Sequence, residues 1–237
     1  MYCSIPPRPI SVARKGTYVS SSLTHITLNS QFQSFSVCLF EDDFRLDLPK
    51  GVTFISGILT NAKSQTACLG SIFSFVSKDA VAKVQIMENY CRGEQREKYV
   101  SLQSMVEYEL ANGLVDLQKR SGRPDSGCRT VLRLHRALRW LQLFLEGLRT
   151  GREDSRTSVI CTDSYNASLA TYHPWVVRKA ATVAFCTLPS RNAFLEIMNV
   201  GTTEEAVTML GEALPYICDV YGITQELFAH HKLLDLP

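Results

Sequence analysis

The chain has 237 residues, 45% of them hydrophobic and 20% charged, with a formal net charge of +2. This is the balance of an ordinary globular protein, large enough for one or two domains and a sizeable core. It gives no sign of the basic excess of a nucleic-acid protein, so no nucleic-acid partner is expected and any charge logic must be local.

Eight cysteines (Cys3, Cys38, Cys68, Cys91, Cys128, Cys161, Cys186 and Cys218) are well spread, with no C-x-x-C pair and no His at metal-ligand spacing. The opening MYCSIPPRPISVARKGTYVSSS lacks the apolar stretch of a secretory signal. The cysteines are therefore read as reduced, mostly buried small hydrophobes of a cytosolic protein. No stretch approaches the roughly 18 apolar residues of a membrane span, so any membrane role is expected to be peripheral.

Residues 4–36 are rich in Ser, Thr, Pro and Gln without a sustained period. Residues 1–65 are read as an atypical, largely disordered segment ahead of a domain over 66–237. Within that segment FSVCLFEDDFRLDL and GVTFISGIL suit short strands or buried helical pieces, and periodicity does not separate the two. From about residue 70 the period is helical. GSIFSFVSKDAVAKVQIMENY reads as one helix and YVSLQSMVEYELANGLVDLQKR as a second. SGRPDSGC is a turn in which Ser126 can cap a third helix, RTVLRLHRALRWLQLFLEGLR. TSVICTDSYNASLATY leads to Pro174, which starts or kinks a helix through WVVRKAATVAFCTL. NAFLEIMNV is a short helix closed by Gly201. Thr202 and Glu205 form a capping-box pattern for EEAVTMLGEALPYICDVYG, and TQELFAHHKLL reads as a separate last helix. The expected class is all-α.

Two of these helices carry charge among their apolar residues. At about 100° per residue, His135, Arg139, Gln142 and Glu146 share one narrow polar arc, with Val131, Leu134, Leu138, Leu141 and Leu145 opposite. Arg133 projects between Trp140 and Phe144, and Arg129 lies one turn before it. On the earlier helix Asp79 falls between Ile72 and Ile86, and Lys83 between Ile72 and Val76. The plain reading is a snorkelling Arg and an intrahelical ion pair. Burial argues against the pair, because ion pairs in a core rarely improve on apolar packing. The other reading is one polar spot for a ligand with an anionic head. Arg matches phosphate oxygens with a planar fork, Lys adds a point charge, and Asp accepts from a ligand N–H or O–H.

His173, in TYHPWVVRK, can present one ring nitrogen as a donor to a carbonyl. Trp175, with Tyr172, Arg178 and Lys179, fits a contact with an anionic membrane surface. A core tryptophan beside surface cations fits the same residues. Gly-rich phosphate loops, nucleophile elbows and His/carboxylate metal motifs are missing. Asp79 and His173 as an acid/base pair would lack an activated nucleophile, so neither catalysis nor a metal is expected.

GSIFSFVSKDAVAKV, SGCRTVLRLHRALRWLQLFLEGLR, DSYNASLATYHPWVVRKAATVAFCTLP and the terminal LLDLP closely resemble the glycolipid transfer protein superfamily, in its phosphate-headgroup branch. The resemblance runs from about Leu69 to Pro237. It implies an all-helical two-layer sandwich enclosing one hydrophobic pocket for a sphingolipid. It implies that Asp79 accepts from the sphingosine amide and that His173 donates to the ceramide carbonyl. Lys83, Arg129 and Arg133 would hold the phosphate; glycolipid-binding members carry Trp where Arg133 stands. The implied function is non-vesicular transfer of ceramide-1-phosphate by a monomer without a cofactor. The implied setting is the cytosol, with peripheral docking at trans-Golgi, endosomal and plasma membranes. The family's P-Y-x-x-S-W-K-G-like run has no counterpart before residue 69. A lipid-regulated interaction module and a transfer-impaired variant therefore stay open as alternatives, and a glycolipid carrier is opposed by Arg133.

Overall fold

The computed structural model describes residues 40, 41, 45, 46, 71–115, 125–197 and 202–236. GVTFISGIL, the rest of the 1–65 segment, Cys3, Cys38, Cys68, and the closure at Gly201 lie outside the described residues. So do the side chains of residues 71–77.

Within FSVCLFEDDFRLDL, β1 (Phe40–Glu41) pairs antiparallel with β2 (Arg45–Leu46), Phe40 opposite Leu46. The remaining described elements are helical: α1 (Ser71–Arg92), α2 (Leu102–Ala111), α3 (Gly127–Thr150), α4 (Thr157–Asn166), α5 (Trp175–Phe185), α6 (Arg191–Ile197) and α7 (Thr203–His230). Short 3₁₀ turns cover Arg96–Lys98 and Leu169–Tyr172.

Local chemistry explains most boundaries. Ser126 caps α3 by accepting from the Arg129 amide, and Thr202 with Glu205 forms the capping box of α7. Pro174 precedes α5 as its N-cap residue. Two expectations are corrected. The second helix stops at Ala111, where Asn112 and the left-handed Gly113 (φ +60°) break it, rather than running on toward residue 120. The last two predicted helices are one, because α7 continues through Pro215 and Gly222. Pro and Gly cost about 3 and 1 kcal/mol in a helix interior. Burial of Leu210, Ala213 and Leu214 before Gly222, and of Thr224 and Phe228 after it, offsets that.

α3 is the central helix. It packs against α7, α4, α1 and α2. Its N-terminal half gives Cys128 and Leu132 to a core with Val84, Met87, Leu102, Met105, Phe228, Leu233 and Leu236. Its C-terminal half gives Trp140, Phe144 and Leu148 to a second core with Tyr165, Phe185, Phe194, Leu195 and Leu210. Much of the polar arc of α3 faces α7: His135 Nε2 lies 2.8 Å from Gln225 Oε1, its ring stacks on Tyr221, and Gln142 donates to the Cys218 sulfur, while Glu146 stays partly exposed beside Arg149. The cysteines are less uniformly buried than expected. Cys128 and Cys161 are enclosed, Cys91 and Cys218 are half-buried, and Cys186 is exposed. Burial pushes the Cys161 thiol up to about 12, which keeps it protonated and inert.

Candidate functional site

The start of α3 is held by a buried acid. Glu109 of α2 is 1% exposed. Its carboxylate accepts from the amides of Gly127 (2.7 Å) and Cys128 (2.9 Å) and from the Tyr99 hydroxyl (3.0 Å). A carboxylate at a helix N-terminus satisfies open amides and opposes the positive end of the dipole. Gly127 makes the approach possible, since a Cβ there would lie 2.6 Å from Met105 Sδ and 2.9 Å from Glu109 Oε1. The carboxylate and burial together raise the pKa of Tyr99, burial contributing most.

This anchored end carries the two arginines. Arg129 is buried on the first turn of α3. Arg133, one turn on, is about one-third exposed and donates from Nη1 to Asp125 Oδ2 at 2.7 Å. Arg136 follows on the next turn. It donates to the carbonyls of Leu234 (2.7 Å) and Leu236 (3.3 Å), and the Tyr172 ring lies 4.0 Å from its guanidinium carbon. The C-terminal residues and the segment before α5 are thus both fastened to α3 beside Arg133.

On α1, Lys83 donates to Asp79 across one helical turn. The Lys83 side chain is largely buried, while that of Asp79 is 62% exposed. Asp79 therefore faces outward from the open side of α1 rather than sitting inside an apolar arc. α1 turns Val84 and Met87 into the core instead.

His173 stands between the Leu169–Tyr172 turn and Pro174, in the extended backbone that a following proline favours. Its Nδ1 lies 2.6 Å from the Tyr165 hydroxyl. Burial raises the Tyr165 pKa, so the phenol keeps its proton and can donate it. In the tautomer whose Nδ1 accepts from this phenol, Nε2 carries the N–H and is the donor. Burial lowers the His173 pKa, and the Asp79 carboxylate partly opposes this; α1, which carries Asp79, packs against α5, which follows His173.

The structure thus joins Lys83 to Asp79, sets Asp79 in the field of His173, and links His173 to α3 through the adjacent Tyr172–Arg136 contact. The apolar stripe of Val131, Leu134, Leu138, Leu141 and Leu145 is half-buried along the same helix. Trp175 is 64% exposed, so the core-tryptophan reading is set aside. Val176 and Val183 of α5 are also exposed, at 68% and 70%, as are Arg178 and Lys179.

Sequence reasoning missed Glu109, Asp125, Arg136 and Tyr165. Helical spacing does not relate them to their partners, because each acts across a break between elements. Among the described residues no group of three or more His, Cys, Asp or Glu could hold a metal ion, and no helix is long and apolar enough to cross a membrane.

The model of the family described as Glycolipid transfer protein (GLTP) matches residues 58–200. A ceramide-1-phosphate transfer protein of Xenopus laevis is 58% identical over 219 residues, covering 92% of this chain and all of the relative. That of Bos taurus is 70% identical over 169 residues, covering 71% of this chain and 79% of the relative. The crystal structure of the human ceramide-1-phosphate transfer protein in complex with 12:0 ceramide-1-phosphate superposes with a TM-score of 0.81 at 60% identity. It covers 89% of this chain and 99% of that one. By its fold and its sequence, the chain belongs to the glycolipid transfer protein family.

Proposed function

We propose that this protein carries ceramide-1-phosphate between membranes without vesicles. The observation that carries this reading is its likeness, at 60% identity over nearly the whole partner chain, to a protein solved with that lipid bound. The site chemistry supports it. Arg129 and Arg133 on one stripe of α3, with Lys83 of α1, supply the charge for a phosphomonoester of about −1.5 to −2. Asp79 accepts from the amide N–H, and His173 donates from Nε2 to the amide carbonyl. The half-buried stripe of α3 receives the acyl chains. A neutral headgroup offers these cations no anion and so makes none of the charge-assisted bonds that a phosphate makes.

The proposal includes how the protein meets the bilayer. α5 presents Trp175, Val176 and Val183 beside Arg178 and Lys179, an apolar surface with cations suited to anionic lipid. Contact is transient, the protein works as a cytosolic monomer, and the trans-Golgi, endosomal and plasma membranes are the proposed docking sites.

The test is transfer of a fluorescent ceramide-1-phosphate between vesicles by the 237-residue chain, with galactosylceramide as control. Transfer of the phosphate lipid alone supports the reading. A soluble, helical protein that transfers neither lipid would overturn it and favour an interaction module or a transfer-impaired variant.

A further inference from the structure

Two of the three cations of the proposed headgroup site already hold acids of this chain. Lys83 holds Asp79, to which the resemblance gives a role toward the lipid amide. Arg133 holds Asp125, which has no such role. Asp125 lies in the connection just before α3, with its side chain 15% exposed and Oδ2 2.7 Å from Arg133 Nη1. Its own carbonyl accepts from the Tyr90 hydroxyl at 3.1 Å, which ties the acid to α1. Two other charged groups nearby are committed elsewhere. Glu109 is taken up by the Gly127 and Cys128 amides, and Arg136 by the Leu234 and Leu236 carbonyls.

Resting on the proposed function, we infer that Asp125 is the internal counter-ion of the headgroup site. Its carboxylate occupies Arg133 in the empty protein and competes with the phosphate for that guanidinium. A charge-assisted bond of this kind is about twice as strong as a neutral one. A phosphomonoester brings more charge and more acceptor oxygens, so it can displace the carboxylate; a neutral headgroup cannot. The returning carboxylate then helps to expel the lipid. The site trades affinity for release, as a carrier between membranes requires.

The test is release of fluorescent ceramide-1-phosphate from preloaded protein into excess phosphatidylcholine vesicles. Removing the acid in Asp125→Asn, and independently in Asp125→Ser, is expected to slow release about tenfold, because affinity changes within one site appear mostly in the off-rate. Helix content by circular dichroism is expected to stay the same, and Asp125→Glu, which keeps a carboxylate, should release at close to the wild-type rate. A purely structural role for Asp125 would speed release and lower helix content. Release that is unchanged or faster in both neutral variants overturns the inference. Wild-type protein that takes up no ceramide-1-phosphate overturns the proposed function, and the inference with it.

Discussion

α3 and α5 both set cations among apolar residues at helical spacing, yet neighbours close over α3 from four sides while α5 lies open along most of its length. On α3 the consequence is specificity. Arg129 is buried, Arg133 is held by Asp125, and Arg136 is held by the carbonyls of Leu234 and Leu236. On α5, Trp175, Val176, Arg178 and Lys179 touch little, and the cations lie beside the apolar residues on one open surface. The difference lies in the surroundings. A cation on an enclosed helix must find a defined anion, because an unpaired buried charge is costly. A cation on an open helix is solvated and free to meet any anionic surface.

That contrast can be broken by substitution. Phe144→Ala, in the enclosed half of α3, is expected to cost about 3–5 kcal/mol in urea unfolding, as large aromatic truncations in cores do. A loss below 1 kcal/mol would mean that α3 is not enclosed there. Arg133→Leu should lower ceramide-1-phosphate uptake by at least tenfold, about 1.4 kcal/mol or more, while circular dichroism shows helix content retained. Equal uptake by the variant would remove Arg133 from the headgroup site. Trp175→Ala should change stability by no more than about 0.5 kcal/mol, as exposed substitutions do, yet weaken sedimentation with anionic vesicles several-fold. Vesicle binding that survives intact would make α5 an ordinary surface helix.

The smallest effect is that of pH. Burial lowers the pKa of both His135 and His173. Between the folded values and the ordinary value near 6.5 the unfolded chain binds more protons, so stability rises with pH. The histidine contribution is therefore complete above about pH 6.5 and is lost as pH falls toward the folded values. Thermal unfolding should shift downward between pH 7 and pH 5.5, and His135→Gln should flatten part of that slope. A slope that the substitution leaves unchanged would show that His135 contributes nothing to it.

Much of the fold could be read before the structure. Ser126, Pro174, and the pair Thr202 and Glu205 marked helix starts because capping is local chemistry, satisfied within three or four residues. The two helices expected at the C-terminus were merged for a non-local reason: Phe228 and Thr224 are buried against other elements, and that outweighs a mid-helix glycine. The same limit applied to the site. Arg129, Arg133 and Lys83 stood out because their spacing conflicts with the apolar pattern of their own helices; Asp79 stood out with them, yet its side chain faces outward. Glu109, Asp125, Arg136 and Tyr165 gave no such signal. Their partners lie across a turn or on another helix, where periodicity carries no information.

The sequence by itself determined the helices, their caps and the presence of misplaced charge, since these depend on residues within a turn or two of one another. Only the tertiary structure decided which charges meet, which faces close and which stay open. It turned His135 and Gln142 toward α7, gave Arg133 to Asp125, set the Tyr165 hydroxyl against His173 Nδ1 and left Trp175 in water. Those outcomes depend on desolvation, and desolvation is a property of what surrounds a residue in space.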